Sequence, residues 1–191
     1  MDNNEYIKLA LRTESKVESV SANVNALMAA LDCFVVSGEI LDGFKKAIYY
    51  RNPKKINETL QDYADALEEH ARRLRKHAST ATTNTEVMNI NPRVFHGIVG
   101  IATEASELTA ALSDYIENGV LDPVNIQEEM GDGAGGTNSW YAAILHDELG
   151  LDPVETMTKN INKLRARYPE KYEDTLAENR DLTTERKILE S

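Results

Sequence analysis

A three-and-four spacing of apolar residues runs through most of this chain, with no strand-like alternation to compete with it. Val17, Val20, Val24, Leu27, Met28, Leu31 and Phe34 recur on one helical face. The pattern resumes at Leu41, Phe44 and Ile48, which predicts one long helix or two helices joined near Ser37-Gly38. Ile56, Leu60, Tyr63, Leu67 and Leu74 mark a second stretch, and Ser79 to Asn89 is polar and threonine-rich, a loop and the clearest boundary. Asn91-Pro92 opens a third helix with apolar stripe Ile98, Ile101, Ala105, Leu108, Leu112 and Ile116, closed by Gly119. Asp122-Pro123 and Asp152-Pro153 each set a capping acid before a first-turn proline and open further helices, the last running to about Tyr168. No segment reads as a strand, so the fold class is all-α, a helix bundle. The expected division is a structural N-terminal half at 1–84, a core carrying the chemistry at 85–169 and a charged tail at 170–191.

Charge narrows the functional classes. The net charge of −11 argues against a basic face gripping nucleic acid. It does not argue against a small anionic substrate, because bound divalent cations invert the local sign. Cys33 is the single cysteine and lies in an apolar run, so it reads as a small buried hydrophobe. A chain with no intrachain disulfide fits a reducing cytoplasm. The acidic N-terminus has no apolar signal-peptide region, and no apolar run is expected to reach the length of a membrane span.

Two acidic motifs stand out: Glu104-Ala-Ser-Glu107 on the third helix, and Glu129-Met-Gly-Asp132 on the next. Residues three apart are neighbours on a helix surface, so each motif presents two carboxylates side by side. If the helices pack antiparallel, four carboxylates converge and repel unless something neutralises them. An all-oxygen donor set suits magnesium, calcium or manganese. The plainer alternative is a solvated helix face, common in a chain with 32 acidic residues. A ferritin-like di-iron site needs an acid three residues before a histidine. Leu67, Leu74, Arg93 and Ala143 stand there, so that reading fails.

Further along, Asn160, Lys163 and Arg167 share one face of the last long helix, flanked by Lys159. They could hold phosphates, or offset the helix dipole. Trp140 and Tyr141 could stack on a base or serve as core, and His96 reads as core in preference to the edge of an active site. A faint internal repeat is also visible. Shifted by 68 positions, Ser37 to Ile40 fall on Ala105 to Leu108, and Val36, Gln61 and Ala64 fall on Glu104, Glu129 and Asp132.

The segments HGIVGIATEASEL (96–108), NIQEEMGD (125–132) and NINKLRARYP (160–169) resemble the all-α NTP pyrophosphohydrolase superfamily, the MazG-like proteins of phage and bacterial type. The similarity runs from about residue 85 to the end. It implies hydrolysis of (deoxy)nucleoside triphosphates to monophosphate and pyrophosphate in a bacterial or phage-infected cytosol. It further implies that Glu104, Glu107, Glu129 and Asp132 ligate Mg²⁺, with Mn²⁺ a possible substitute. By the same resemblance Lys163 and Arg167 hold phosphates, with Asn160 nearby and Trp140 and Tyr141 at the base, in a homodimer or homotetramer. One departure is visible: Gly133 to Ser139 intervenes between Asp132 and Trp140, an insertion expected to break the helix or form a loop near Asp132. A non-catalytic bundle that binds a nucleotide or a protein is the alternative.

Overall fold

The structure, a computed structural model, describes residues 1–190. It is all-α: about 76% of the chain is helical, with only a two-stranded sheet besides. The helices are α1 (Asn3–Ala10), α2 (Val24–Tyr49), α3 (Lys54–His77), α4 (Pro92–Asn118), α5 (Pro123–Glu129), α6 (Trp140–Leu149), α7 (Pro153–Arg167), α8 (Asp174–Glu178) and α9 (Leu182–Glu190). Strands β1 (Val20–Ala22) and β2 (Glu86–Met88) pair antiparallel, Val20 opposite Met88. This corrects the strand-free reading: Val20, placed with Val17 on a helical face by its spacing, is a buried strand residue, and the helix begins only at Val24.

Contacts divide the chain into two compact units, Ser19–Asn89 and Met1–Glu18 with the chain from Ile90 onward. The division differs from the sequential one expected at residue 84, because the first 18 residues belong with the later helices. A buried ion pair is the reason. The Glu14 carboxylate accepts from Arg93 Nε and Nη2 at 2.7 and 3.0 Å, and Arg93 also reaches Asp147 and Glu148 on α6 at 2.7 and 2.8 Å.

Within the first unit, α2 and α3 form a helical hairpin. The α2 helix starts where Asn23 caps it, its side chain accepting from the Ala26 amide at 3.2 Å. It runs unbroken through Gly38, so the single-helix alternative holds and the joint does not form. By length and composition α2 could cross a membrane, contrary to the expectation that no segment could. It is amphipathic rather than uniformly apolar: Asp32 meets Arg73 of α3 at 2.7 Å, and Glu39 meets Lys55 at 2.7 Å. Cys33 is a free, half-buried thiol.

In the second unit, local chemistry fixes the helix starts. Asn91 caps α4, Asp122 caps α5 and Asp152 caps α7, each ahead of a first-turn proline, and Gly119 ends α4 in the left-handed region. The face of α4 that is buried is not the stripe of large residues. Ile98, Leu112 and Ile116 are exposed, while Gly97 and Gly100 are buried and receive Leu145 and Tyr141 of α6. The 68-residue repeat has a counterpart in the elements: shifting α2 lays Val24 on Pro92, the first residue of α4, and the cap Asn23 on the cap Asn91. The expected tail contains α8 and α9, and α9 packs against α7.

Candidate metal and phosphate site

The α4 and α5 helices bring three of the four acidic residues together. Oxygens of Glu104, Glu107 and Glu129 lie within 4.8 Å of one another. Glu129 ends α5 and is buried, Glu104 is half-buried, and Glu107 faces outward. Burial first, then the hydrogen bond with Glu129 and the charges of Glu107, Glu129 and Asp132, push the Glu104 carboxyl up to about 7. At neutral pH a proton is therefore partly retained within the cluster.

Asp132 is exposed and lies outside the three-carboxylate group, though its charge is felt by Glu104, Tyr6 and Tyr141. The reason is the glycine-rich segment that follows it. Instead of continuing α5, Met130–Ala134 winds as a single π-helical turn, and Gly136–Asn138 forms a 3₁₀ turn before α6. Gly133 permits the close approach of this turn to α4: a Cβ there would lie 2.5 Å from Glu104 Cγ. Gly136 takes a φ of 80°, a conformation suited to glycine.

The aromatic pair is held by packing. The Tyr141 ring lies against Gly100, and its hydroxyl is pushed up by burial and by the charges of Glu104, Asp132 and Glu107. Trp140 meets Tyr141 edge to face at 4.7 Å, and its Nε1–H donates to the Ala10 carbonyl at 3.1 Å and Thr13 Oγ1 at 2.8 Å. His96 meets both rings edge to face, at 5.6 and 5.5 Å, so it sits in packing beside the site.

The cationic residues of α7 are placed differently from one another. Arg167 is clasped to the buried Glu185 of α9 through Nε at 2.7 Å and Nη2 at 2.6 Å, and Arg180 joins the same carboxylate at 2.6 Å. The two guanidinium groups hold Glu185 down to about 2. Lys159 pairs with Glu155 at 2.8 Å. Lys163 is half-buried and makes no ion pair among the described residues, and Asn160 is exposed. No hydrogen bond or ion pair joins these side chains to the three carboxylates among the described residues.

Two features lay beyond sequence reasoning. Tyr6 of α1 donates to the Gly131 carbonyl at 3.4 Å, and burial and Asp132 push its hydroxyl up. A lone tyrosine 125 positions away carries no local signal of this. The second feature is an open cleft of about 410 Å³ beside the carboxylates, lined among others by Glu107, Ala111, Asp114, Val120, Asn125 and Glu129. Its one trace in the sequence is the pair Ala110-Ala111, small residues that leave space on α4 beside the stripe. No family model, no curated protein and no solved structure matches the chain.

Proposed function

We propose that this protein is a magnesium-dependent hydrolase of nucleoside triphosphates, releasing the monophosphate and pyrophosphate. The observation that carries the reading is the group formed by Glu104, Glu107 and Glu129, with oxygens within 4.8 Å of one another and no ion pair to a lysine or arginine among the described residues. The donor set fits a hard divalent ion: it is all oxygen and partly buried, and burial together with the neighbouring carboxylates pushes the Glu104 carboxyl up to about 7. Such an ion supplies Lewis-acid polarisation of phosphate oxygens and an acidified water.

The chain's own groups do the rest. Glu104, Glu107 and Glu129 hold the ion, and Asp132, exposed on the π-turn, is free to orient the incoming water. Water oxygen bonds to the α-phosphorus and gives up a proton to a carboxylate of the site, the bond from that phosphorus to the bridging oxygen breaks, and pyrophosphate leaves with the electron pair. The cleft beside Glu107 and Glu129 gives the substrate room, and Lys163 offers a cation for its phosphates. The test is a panel of nucleoside triphosphates with Mg²⁺ and product identification. Monophosphate plus pyrophosphate is expected; orthophosphate release rejects the bond assignment, and full activity in Glu107→Gln rejects the site.

A second reading has its own observation. Arg167, one of the two cations assigned to phosphates, is committed to Glu185. A protein whose arginine stays so committed binds nucleotide without turning it over. Calorimetry with Mg²⁺ and a non-hydrolysable triphosphate separates the two: binding without turnover supports the second, and turnover removes it.

A further inference from the structure

Residues 1–14 are laid against the helices that carry the candidate site, although the whole α2–α3 hairpin stands between them in the chain. The α1 helix is a formed element of eight residues, capped by Asp2, whose side chain accepts from the Glu5 amide at 2.8 Å. Three contacts fasten it and the segment after it. The Glu14 side chain is fully buried against Arg93 of α4. The Trp140 indole of α6 donates to the Ala10 carbonyl and to Thr13 Oγ1. The Tyr6 hydroxyl donates to the Gly131 carbonyl. The first two contacts end on regular helices, while the third ends on the π-turn, one residue before Asp132.

We propose that Tyr6 is a positioning residue: through the Gly131 carbonyl it holds the outer side of the π-turn and so sets where Asp132 stands beside Glu104, Glu107 and Glu129. The inference rests on the hydrolase reading, in which Asp132 orients the attacking water. The turn is fastened differently on its two sides. Its inner side is packed: Gly133 is buried against Glu104, and the Ser139 hydroxyl, in a fully buried residue, donates to the Gly133 and Gly136 carbonyls at 3.2 and 3.1 Å. Its outer side is bare: Gly131 and Asp132 are exposed, and nothing lies within 4 Å of the place a Cβ on Gly131 would take. A glycine brings no side chain of its own to hold the backbone, so the fastening comes from elsewhere, and Tyr6 supplies it. Tyr6 is half-buried, and the charge of Asp132 adds to that burial in pushing its hydroxyl up, which places the phenol and the carboxylate in one neighbourhood. At 3.4 Å the bond is long, so its loss costs the fold little. Direction is what it supplies, and displacing a reacting group by about 1 Å can cost on the order of 10²-fold in rate.

Tyr6→Phe keeps the ring and removes only the donor. With Mg²⁺ and the triphosphate that the wild type turns over, kcat should fall about 10- to 100-fold while KM stays within about twofold. Hydrogen exchange on the same protein should be about tenfold faster at amides 130–134 and unchanged at 3–13. Arg93→Leu, which releases Glu14, is the structural control and should speed exchange at 3–13. The inference is overturned by an unchanged kcat, by a KM that rises with kcat unaltered, or by exchange that stays the same at 130–134. It is overturned equally if exchange in Tyr6→Phe rises at 3–13, since the tyrosine then only seats α1. A wild type that hydrolyses no triphosphate sinks the hydrolase reading and, with it, a part for Tyr6 in the reaction; exchange at 130–134 judges the fastening of the turn by itself.

Discussion

The hairpin of α2 and α3 and the elements α4 and α5 place acidic residues at matching positions and settle their charge in opposite ways. Glu39 corresponds to Glu107 under the 68-residue shift. In the hairpin, Lys55 Nζ lies 2.7 Å from Glu39 and 3.4 Å from Asp42, and it holds the Glu39 carboxyl below its usual range. In the second unit no lysine or arginine pairs with Glu104, Glu107 or Glu129 among the described residues, and the Glu104 carboxyl goes up rather than down. The first arrangement carries its own counterion, while the second has no such partner among the described residues. Val36, Gln61 and Ala64, where the second unit has Glu104, Glu129 and Asp132, complete the contrast.

The largest expected break in this contrast is Glu129→Gln. It should lower triphosphate hydrolysis by about 10²-fold or more, measured as pyrophosphate release, with the helical circular dichroism signal retained. Next, Gly133→Val should cost about 1–3 kcal/mol in urea unfolding, since its side chain must displace Glu104 and the π-turn cannot close on α4. A smaller effect concerns pH. The Glu104 carboxyl is raised in the folded state, so its contribution to stability is fully present below about 4.5 and is lost as pH rises through about 7. The metal-free protein should therefore lose stability between pH 5 and 8, more than Glu104→Gln does, and Mg²⁺ should restore it in the wild type only. Least of all, Lys55→Met should shift stability by under about 1 kcal/mol, because its pair with Glu39 is largely exposed. A Mg²⁺-dependent rise in melting temperature that appeared in Lys55→Met and vanished in Glu129→Gln would sharpen the comparison further.

What could be read from the sequence follows the range of the forces involved. Asn91-Pro92, Asp122-Pro123 and Asp152-Pro153 announced their helices because capping joins a side chain to an amide two or three residues on. The meeting of Glu104, Glu107 and Glu129 was legible because spacings of three set the pairs and two consecutive helices joined them. The place of Asp132 was not, since the π-turn depends on Gly133 finding room against α4. Arg167 looked available because its partner, Glu185, lies 18 residues away in a segment of weak periodicity. Periodicity also showed which residues of α2 are apolar, but not that Ala26 and Ala29 would be the ones turned inward.

The single indole of the chain, Trp140, is tied by its nitrogen to the end of α1 and stands edge-on to Tyr141 beside the carboxylates. Undocking of the N-terminal helix therefore wets this ring and should red-shift its fluorescence, without any label having been introduced. One intrinsic chromophore thus reports on the seating of residues that lie at the far end of the sequence from it.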